Sequence, residues 1–356
     1  MGAKQATGMD GNISRNNTEK PVFSIWFQAA RPKTLAAGIA PVVIGSAMAA
    51  ADARFHAVSA FCTFAGTVLI QIGTNFANDY FDAMKGSDTD ERIGPVRAVQ
   101  AGLVTPGAMR RAAALVFLAA CAPGLYIVWR GGWPFLIIGL VSILCGVLYT
   151  GGPYPLGYIG LGDLFVLVFF GPVAVGGTYY VQALSLTPEA LVAGVAAGLF
   201  SVAILTVNNL RDIEQDRIAG KRTLPVRFGR AFARIEYAVC LVGGGTVVPI
   251  VLALKTGRWG VMTSALALAA ALPAIRTVFT KTDGPSLNDA LARTEALRGA
   301  EFVGAFAGAD GFDLGVELGR QCQHTLGDHR VVIDRENTDS HSIIVPDQAI
   351  LDESSF

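Results

Sequence analysis

The sequence predicts an all-α, polytopic membrane helical bundle, and three observations predict it. The 356 residues are 52% hydrophobic and only 16% charged, whereas soluble domains carry about 25% charged residues. The apolar residues fall in runs of about twenty, the length that crosses a bilayer. The formal net charge of zero hides a division near Pro285, with a surplus of eight basic residues before it and of eight acidic residues after it. These divide the chain into an N-terminal segment at 1–33, a transmembrane domain at 34–284 and an acidic C-terminal tail at 285–356.

The first thirty residues are polar and carry no signal-peptide core. Trp26, Phe27, Arg31 and Lys33 suit a short helix lying in the interface. Eight spans follow, at 34–51, 58–78, 110–129, 133–150, 162–182, 189–208, 233–254 and 259–279. Pro41, Pro123, Pro172, Pro249 and Pro273 fall inside them, where neighbouring helices can re-satisfy the carbonyls a kink frees. Gly194 and Gly198 form a GxxxG, the packing face for a neighbouring helix. The mid-span positions read as apolar, with the acidic residues gathered at one rim.

Lys and Arg set the orientation. The segment before the first span, the loop after the second (Lys85, Arg92, Arg97, Arg110, Arg111) and the loop after the sixth (Arg211, Arg217, Lys221, Arg222, Arg227, Arg230) are rich in them. The loops of opposite parity carry at most two each. The positive-inside rule puts the N-terminus and both rich loops in the cytoplasm. His56, His324, His329 and His341 all lie outside the apolar runs, which argues against a haem, a zinc site or a histidine base inside the membrane. The five cysteines form no CxxC and read as small packing residues.

The two rich loops are near-copies. Asn75 and Asp79 end the second span as Asn208 and Asp212 end the sixth, at the same separation, and each loop then contains Pro-Val-Arg, at 95–97 and 225–227. An internal duplication of four helices, with one polar site at the seam, accounts for this. Asn75, Asp79 and Asp82 are spaced i, i+4, i+7; Asn208, Asp212 and Asp216 are spaced i, i+4, i+8; each trio is predicted to share a helix face. Carboxylates at helix C-termini meet the negative end of the macrodipole and need a cation. Acids with amide oxygens and no His or Cys make a hard-oxygen set suited to Mg2+, which keeps one or two carboxylates and takes phosphate oxygens besides. A phosphorylated substrate is therefore expected. Asp79, Asp82, Asp212 and Asp216 are the candidate catalytic residues and, with Asn75 and Asn208, the candidate metal ligands. Lys85, Arg92, Arg97, Lys221, Arg222 and Arg227 are the candidate diphosphate partners. Tyr149, Tyr154 and Tyr158 are candidates to face a carbocation or an aromatic acceptor.

Asn78-Asp79-Tyr80-Phe81-Asp82 and Asp212-Ile213-Glu214-Gln215-Asp216 resemble the two aspartate-rich motifs of the UbiA superfamily of intramembrane prenyltransferases. Asn208 to Gly229, NNLRDIEQDRIAGKRTLPVRFG, and Tyr149 to Asp163, YTGGPYPLGYIGLGD, are more narrowly similar to its branch acting on 1,4-dihydroxy-2-naphthoate. The resemblance covers roughly 22–294. It implies a helical fold around a lipid-open cavity, two Mg2+ ions bridging a polyprenyl diphosphate, and prenylation of a naphthoate carbon with loss of carbon dioxide in menaquinone synthesis. Relatives acting on hydroxybenzoate have a lysine shortly after the tyrosine ending the fourth span; this chain has Thr150-Gly151-Gly152-Pro153. Hydroxybenzoate, homogentisate and chlorophyllide acceptors are the alternatives within the superfamily, and a membrane transporter is the alternative outside it. The family has nine helices. Here Leu287 to Thr294 resembles the start of the last, but no apolar run follows, and with Asp289 and Arg293 inside it and Glu295, Arg298 and Glu301 after it the stretch carries five charges. The expectation is eight spans, with the ninth degraded or replaced by a shifted frame, and a cytoplasmic tail.

Overall fold

The computed structural model describes residues 21–86 and 97–297, the side chains of Leu266 and Ala267 excepted. Every predicted span is a helix there. A short helix α1 (Val22–Ala30) precedes α2 (Pro32–Ala51), α3 (Ala57–Lys85), α4 (Pro106–Gly131) and α5 (Trp133–Leu148). The second half begins with α6 (Gly162–Val168) and α7 (Ala174–Ala183), joined by a π-turn at Phe169–Val173. It continues through α8 (Pro188–Arg211), the short α9 (Ile213–Ile218), and α10 (Leu224–Val242) with α11 (Val248–Thr256). A 3-10 segment (Trp259–Ala265) then leads into α12 (Leu266–Thr280), and α13 (Gly284–Ala296) closes the described chain. Seven of these spans are long and apolar enough to cross a membrane. The eighth, α5, has sixteen residues and is about 24 Å long.

Local signals set the boundaries. The Oγ1 of Thr105 and of Thr187 accepts from the backbone N–H three residues on, at 3.3 Å in both cases, which caps α4 and α8. Asp283 does the same for α13, with the Ser286 N–H at 2.9 Å; that bond holds its carboxyl below the usual carboxylate range. α1 carries exposed Phe23 and Phe27 and buries Ala29, as expected of a helix lying in the interface.

The GxxxG on α8 packs as predicted. A Cβ on Gly194 would meet Pro172 Cα at 2.6 Å, and one on Gly198 would run into the Leu167 carbonyl. The α6–α7 kink is therefore seated directly on α8, backbone against backbone.

The larger apolar core lies between α8, α10, α12 and α13, around Phe200, Val207, Tyr237, Leu241 and Leu287. A second joins α1, α3 and α4 around Phe76 and Met109. The outer surface of α4 and α5 is apolar and exposed, with Leu118, Leu125, Trp129, Trp133 and Leu140 all at least half accessible. Lipid is the solvent such a surface requires.

α13 departs from the expected boundary at 284. It buries Leu287, Ala290 and Thr294, and the Tyr237 hydroxyl meets Thr294 Oγ1 at 2.8 Å. The packed chain thus continues to Leu297 as a thirteen-residue helix; the remaining tail lies outside the described residues.

Between the two halves is a cavity of about 1170 Å³, larger than the usual small-molecule site. Leu125, Leu136 and Leu140 line it and are at least half exposed, and no residue of α5 is fully buried. The wall on this side is one helix thick and apolar.

Candidate functional site

The cavity face of α3 is a polar stripe. Thr63, Thr67, Gln71, Thr74, Asn78 and Asp82 all line the cavity, at spacings of four or three residues, which keep to one helix face. The sequence reading missed this stripe by taking the mid-span positions as apolar, and it missed Asn78 by following Asn75 and Asp79 along the neighbouring flank. The repeat of four-residue steps from Thr63 to Asp82 was the available signal. Asn78 Oδ1 accepts from Thr150 Oγ1 at 2.8 Å, which sets the amide on the wall.

Asp79 is placed differently from Asp82. It is 1% exposed and absent from the cavity wall. Its Oδ2 accepts from the Ala98 N–H at 2.9 Å and its Oδ1 from the Val99 N–H at 3.2 Å. Both oxygens therefore hold the turn that follows Arg97. Asp82 lines the cavity, accepts from Arg97 Nη2 at 2.7 Å on Oδ2, and accepts from the Tyr158 hydroxyl at 2.9 Å on Oδ1. Asn75 also lines the cavity; its Nδ2 donates to the Ala30 carbonyl at 2.9 Å and to Thr34 Oγ1 at 3.0 Å, tying α3 to the start of α2.

The second cluster is broken where a continuous helix face was expected. α8 ends at Arg211, and Asp212 (φ −93, ψ 10) is the junction to α9, which carries Asp216. Asn208, Asp212 and Asp216 nevertheless all line the cavity, with Asn209 and Gln215. Arg211, assigned by sequence only to topology, organises them. Its Nε and Nη2 clamp the two carboxylate oxygens of Asp212 at 2.7 and 2.6 Å. Nη2 also donates to Asn208 Oδ1 and Nη1 to Asn288 Oδ1, both at 2.8 Å. The bond to Asn288 brings α13 to the site, and Asn288 and Glu295 line its wall.

The candidate diphosphate partners separate into two groups. Arg97 and Lys221 line the cavity, and Lys221 Nζ lies 3.6 Å from Asp216 Oδ1. Lys85, Arg222 and Arg227 do not line it. Lys85 Nζ donates to the Thr150 carbonyl at 2.6 Å and to the Gly152 carbonyl at 3.3 Å. Arg227 donates to the Ile159 and Arg222 carbonyls at 2.7 and 3.0 Å. These two staple the α5–α6 loop to the basic loops. Gly160, at φ +77, makes the closest approach, since a Cβ there would meet the Arg222 carbonyl at 2.7 Å. Arg92 lies outside the described residues. Of the tyrosines, Tyr149 and Tyr158 line the cavity, while Tyr154 is 77% exposed and away from it.

The arrangement gives one rim of carboxylate and amide oxygens, joined by Arg97 and Lys221, beside a cavity that is mostly apolar, with the α3 stripe and the scattered hydroxyls of Ser142, Thr178 and Ser201 as exceptions. Such a site suits an anionic head and an apolar tail. Comparison with known proteins agrees. A family model described as the UbiA prenyltransferase family matches residues 39–294. The 1,4-dihydroxy-2-naphthoate octaprenyltransferase of Escherichia coli is 43% identical over 62% of this chain and 74% of its own length. The protein of the same name from Mycobacterium tuberculosis is also 43% identical, over 70% of this chain and 86% of its own. Among solved structures, a UbiA homolog from Archaeoglobus fulgidus bound to DMAPP and Mg2+ superposes with a TM-score of 0.59 at 16% identity, covering 80% of this chain and 99% of that one.

Proposed function

Because the chain belongs to the UbiA prenyltransferase family, we propose that it transfers a polyprenyl chain from its diphosphate to 1,4-dihydroxy-2-naphthoate with decarboxylation, giving demethylmenaquinone in its reduced (quinol) form in menaquinone biosynthesis. One observation carries the reaction class: the two acid–amide clusters of the duplicated halves meet at a single rim, over a largely apolar cavity. The acceptor follows from the relatives that prenylate this naphthoate.

The donor set fits magnesium. Asn78, Asp82, Asn208, Asp212 and Asp216 offer hard oxygens, and among the described residues no three acidic, histidine or cysteine side chains form a metal-holding group. These residues would hold the ion with fewer protein carboxylates than a dedicated cage, which is the set magnesium accepts. When bound, it neutralises charge on the departing diphosphate.

The chain's own residues do the rest. Arg97 and Lys221 stand on the wall where the remaining phosphate charge falls. The apolar slot excludes water from the allylic cation left when the C–O pair departs with the diphosphate. Tyr149 presents its ring to the cation or the acceptor. The ring carbon bearing the carboxylate forms the new C–C bond. Loss of carbon dioxide then returns its bonding pair to the ring, so this route requires no protein base. A site without a histidine among its wall residues is suited to that chemistry. The protein is a multi-pass membrane protein; we infer that it sits in the cytoplasmic membrane with the N-terminus and the site facing the cytoplasm, an orientation that the Lys and Arg bias of its loops supports.

Membranes containing this chain are expected to convert 1,4-dihydroxy-2-naphthoate and a labelled long-chain prenyl diphosphate to demethylmenaquinol, carbon dioxide and diphosphate, the quinol being read as demethylmenaquinone after oxidation in air. EDTA should stop the reaction, magnesium should restore it, and 4-hydroxybenzoate should remain unprenylated. Preference for hydroxybenzoate, or a product retaining the carboxylate, would overturn the acceptor.

A further inference from the structure

Tyr158 lies in the α5–α6 loop and touches both halves of the duplicated site. Its hydroxyl donates to Asp82 Oδ1 at 2.9 Å. Lys85 Nζ stands 4.7 Å from its ring centroid and Lys221 Nζ 4.9 Å. Its carbonyl accepts from the Arg222 N–H at 2.7 Å. One ring thus carries two ammonium groups, one from each basic loop. Lys85 is fixed from behind by the Thr150 and Gly152 carbonyls, while Lys221 lines the cavity beside Asp216.

Two like charges gathered at one point repel, and the quadrupole of an aromatic face is a neutral means of holding them there. A leucine at 158 would fill similar space without that attraction. The hydroxyl makes a separate contribution, because it fixes the orientation of the Asp82 carboxylate without adding charge.

We propose that Tyr158 is a positioning residue acting through two different atoms sets: its ring gathers Lys221, backed by Lys85, for the diphosphate, and its hydroxyl aims Asp82 for the divalent cation. This rests on the prenyl-transfer reading of the site, and it replaces the role of Tyr158 as a direct partner of the carbocation.

The two contributions separate by substitution. Purified protein in detergent is titrated with inorganic pyrophosphate by calorimetry and with Mn2+ by electron paramagnetic resonance, and KM for the prenyl diphosphate is measured alongside. Tyr158→Phe keeps the ring; it should weaken Mn2+ binding about fivefold, the loss of one hydrogen bond to a charged group, with pyrophosphate affinity within about twofold of wild type. Tyr158→Leu should in addition weaken pyrophosphate binding and raise KM about tenfold, the loss of two cation–π contacts. Lys221→Met should lower pyrophosphate affinity, and Tyr158→Leu should add little on top of it. Equal losses of both ligands in Phe and Leu variants, or a fall in melting temperature with no change in either affinity, would overturn the proposal. If Tyr158→Leu does not fold, the Phe variant and the Lys221→Met background still decide. Wild-type protein that binds neither pyrophosphate nor Mn2+ would instead defeat the reading of the site itself.

Discussion

Asp82→Asn should abolish prenyl transfer, lowering turnover about a thousandfold, the scale of removing a fixed electrostatic partner of a transition state. Asp82 is 1% exposed, lines the cavity, and is held from two sides by Arg97 and Tyr158. An asparagine there keeps the shape, loses the charge and leaves the buried Arg97 guanidinium without its carboxylate. Asp79→Asn is the informative contrast. At that position the two oxygens hold the Ala98 and Val99 amides. An asparagine retains one acceptor of the two, so activity should fall about tenfold to a hundredfold and stay well above that of Asp82→Asn, one hydrogen bond to a charged group being worth about 1.5–3 kcal/mol at most. Asp79→Ala, which frees the whole turn, should fall further. Steady-state assays on the three variants at matched expression test this. An Asp79→Asn protein as inactive as Asp82→Asn would return Asp79 to the metal ligands and contradict its placement away from the cavity.

Arg211→Ala should be the most damaging substitution for stability. The guanidinium spends its donors on Asp212, Asn208 and Asn288, and its side chain is 2% exposed. Removing one member of a buried pair leaves the other charge uncompensated, at about 3–5 kcal/mol. Arg211→Lys restores the charge but not the fork and should recover only part of the loss. Thermal denaturation in detergent reads the effect. A double-mutant cycle with Asn288→Ala reads the link to α13, where a coupling of about 1 kcal/mol or more is expected for groups in one hydrogen-bond network. Independent, additive losses would mean that α13 only covers the site.

The helices were legible because lipid imposes a simple demand, about twenty apolar residues with satisfied backbones, and each predicted span has its helix. The site was legible at the level of its rim, since acids at helix C-termini are costly wherever they occur. Its finer assignments depended on which flank of α3 faces the cavity. Asp79 shares local spacing with Asn75 and Asp82, yet the cavity takes those two with Asn78 and the stripe running back to Thr63, and leaves Asp79 out. Local spacing gave no notice of Arg211 meeting Asn288, or of Tyr158 meeting Asp82, because these partners are 77 and 76 residues apart. Nor did it show α8 ending at Arg211, since a six-residue helix with the same periodicity resumes at once. The lysines and arginines were read as a single class of phosphate partners. Lys85 and Arg227 instead spend their donors on loop carbonyls, a division that charge alone does not reveal.

The thin wall formed by α5 has a consequence for what the protein can measure. A closed pocket acts as a ruler, accepting tails that fit and rejecting those that strike its floor. Here the wall beside the cavity is a single apolar helix, and a tail longer than the slot is expected to pass beside it into the hydrocarbon of the bilayer, an equally apolar medium. Each further isoprene unit then gains nothing and loses nothing on binding. Turnover should rise with tail length only until the slot is filled and stay level afterwards. The length of the product's side chain is in that case set by whichever enzyme makes the diphosphate, and this protein transmits it unchanged.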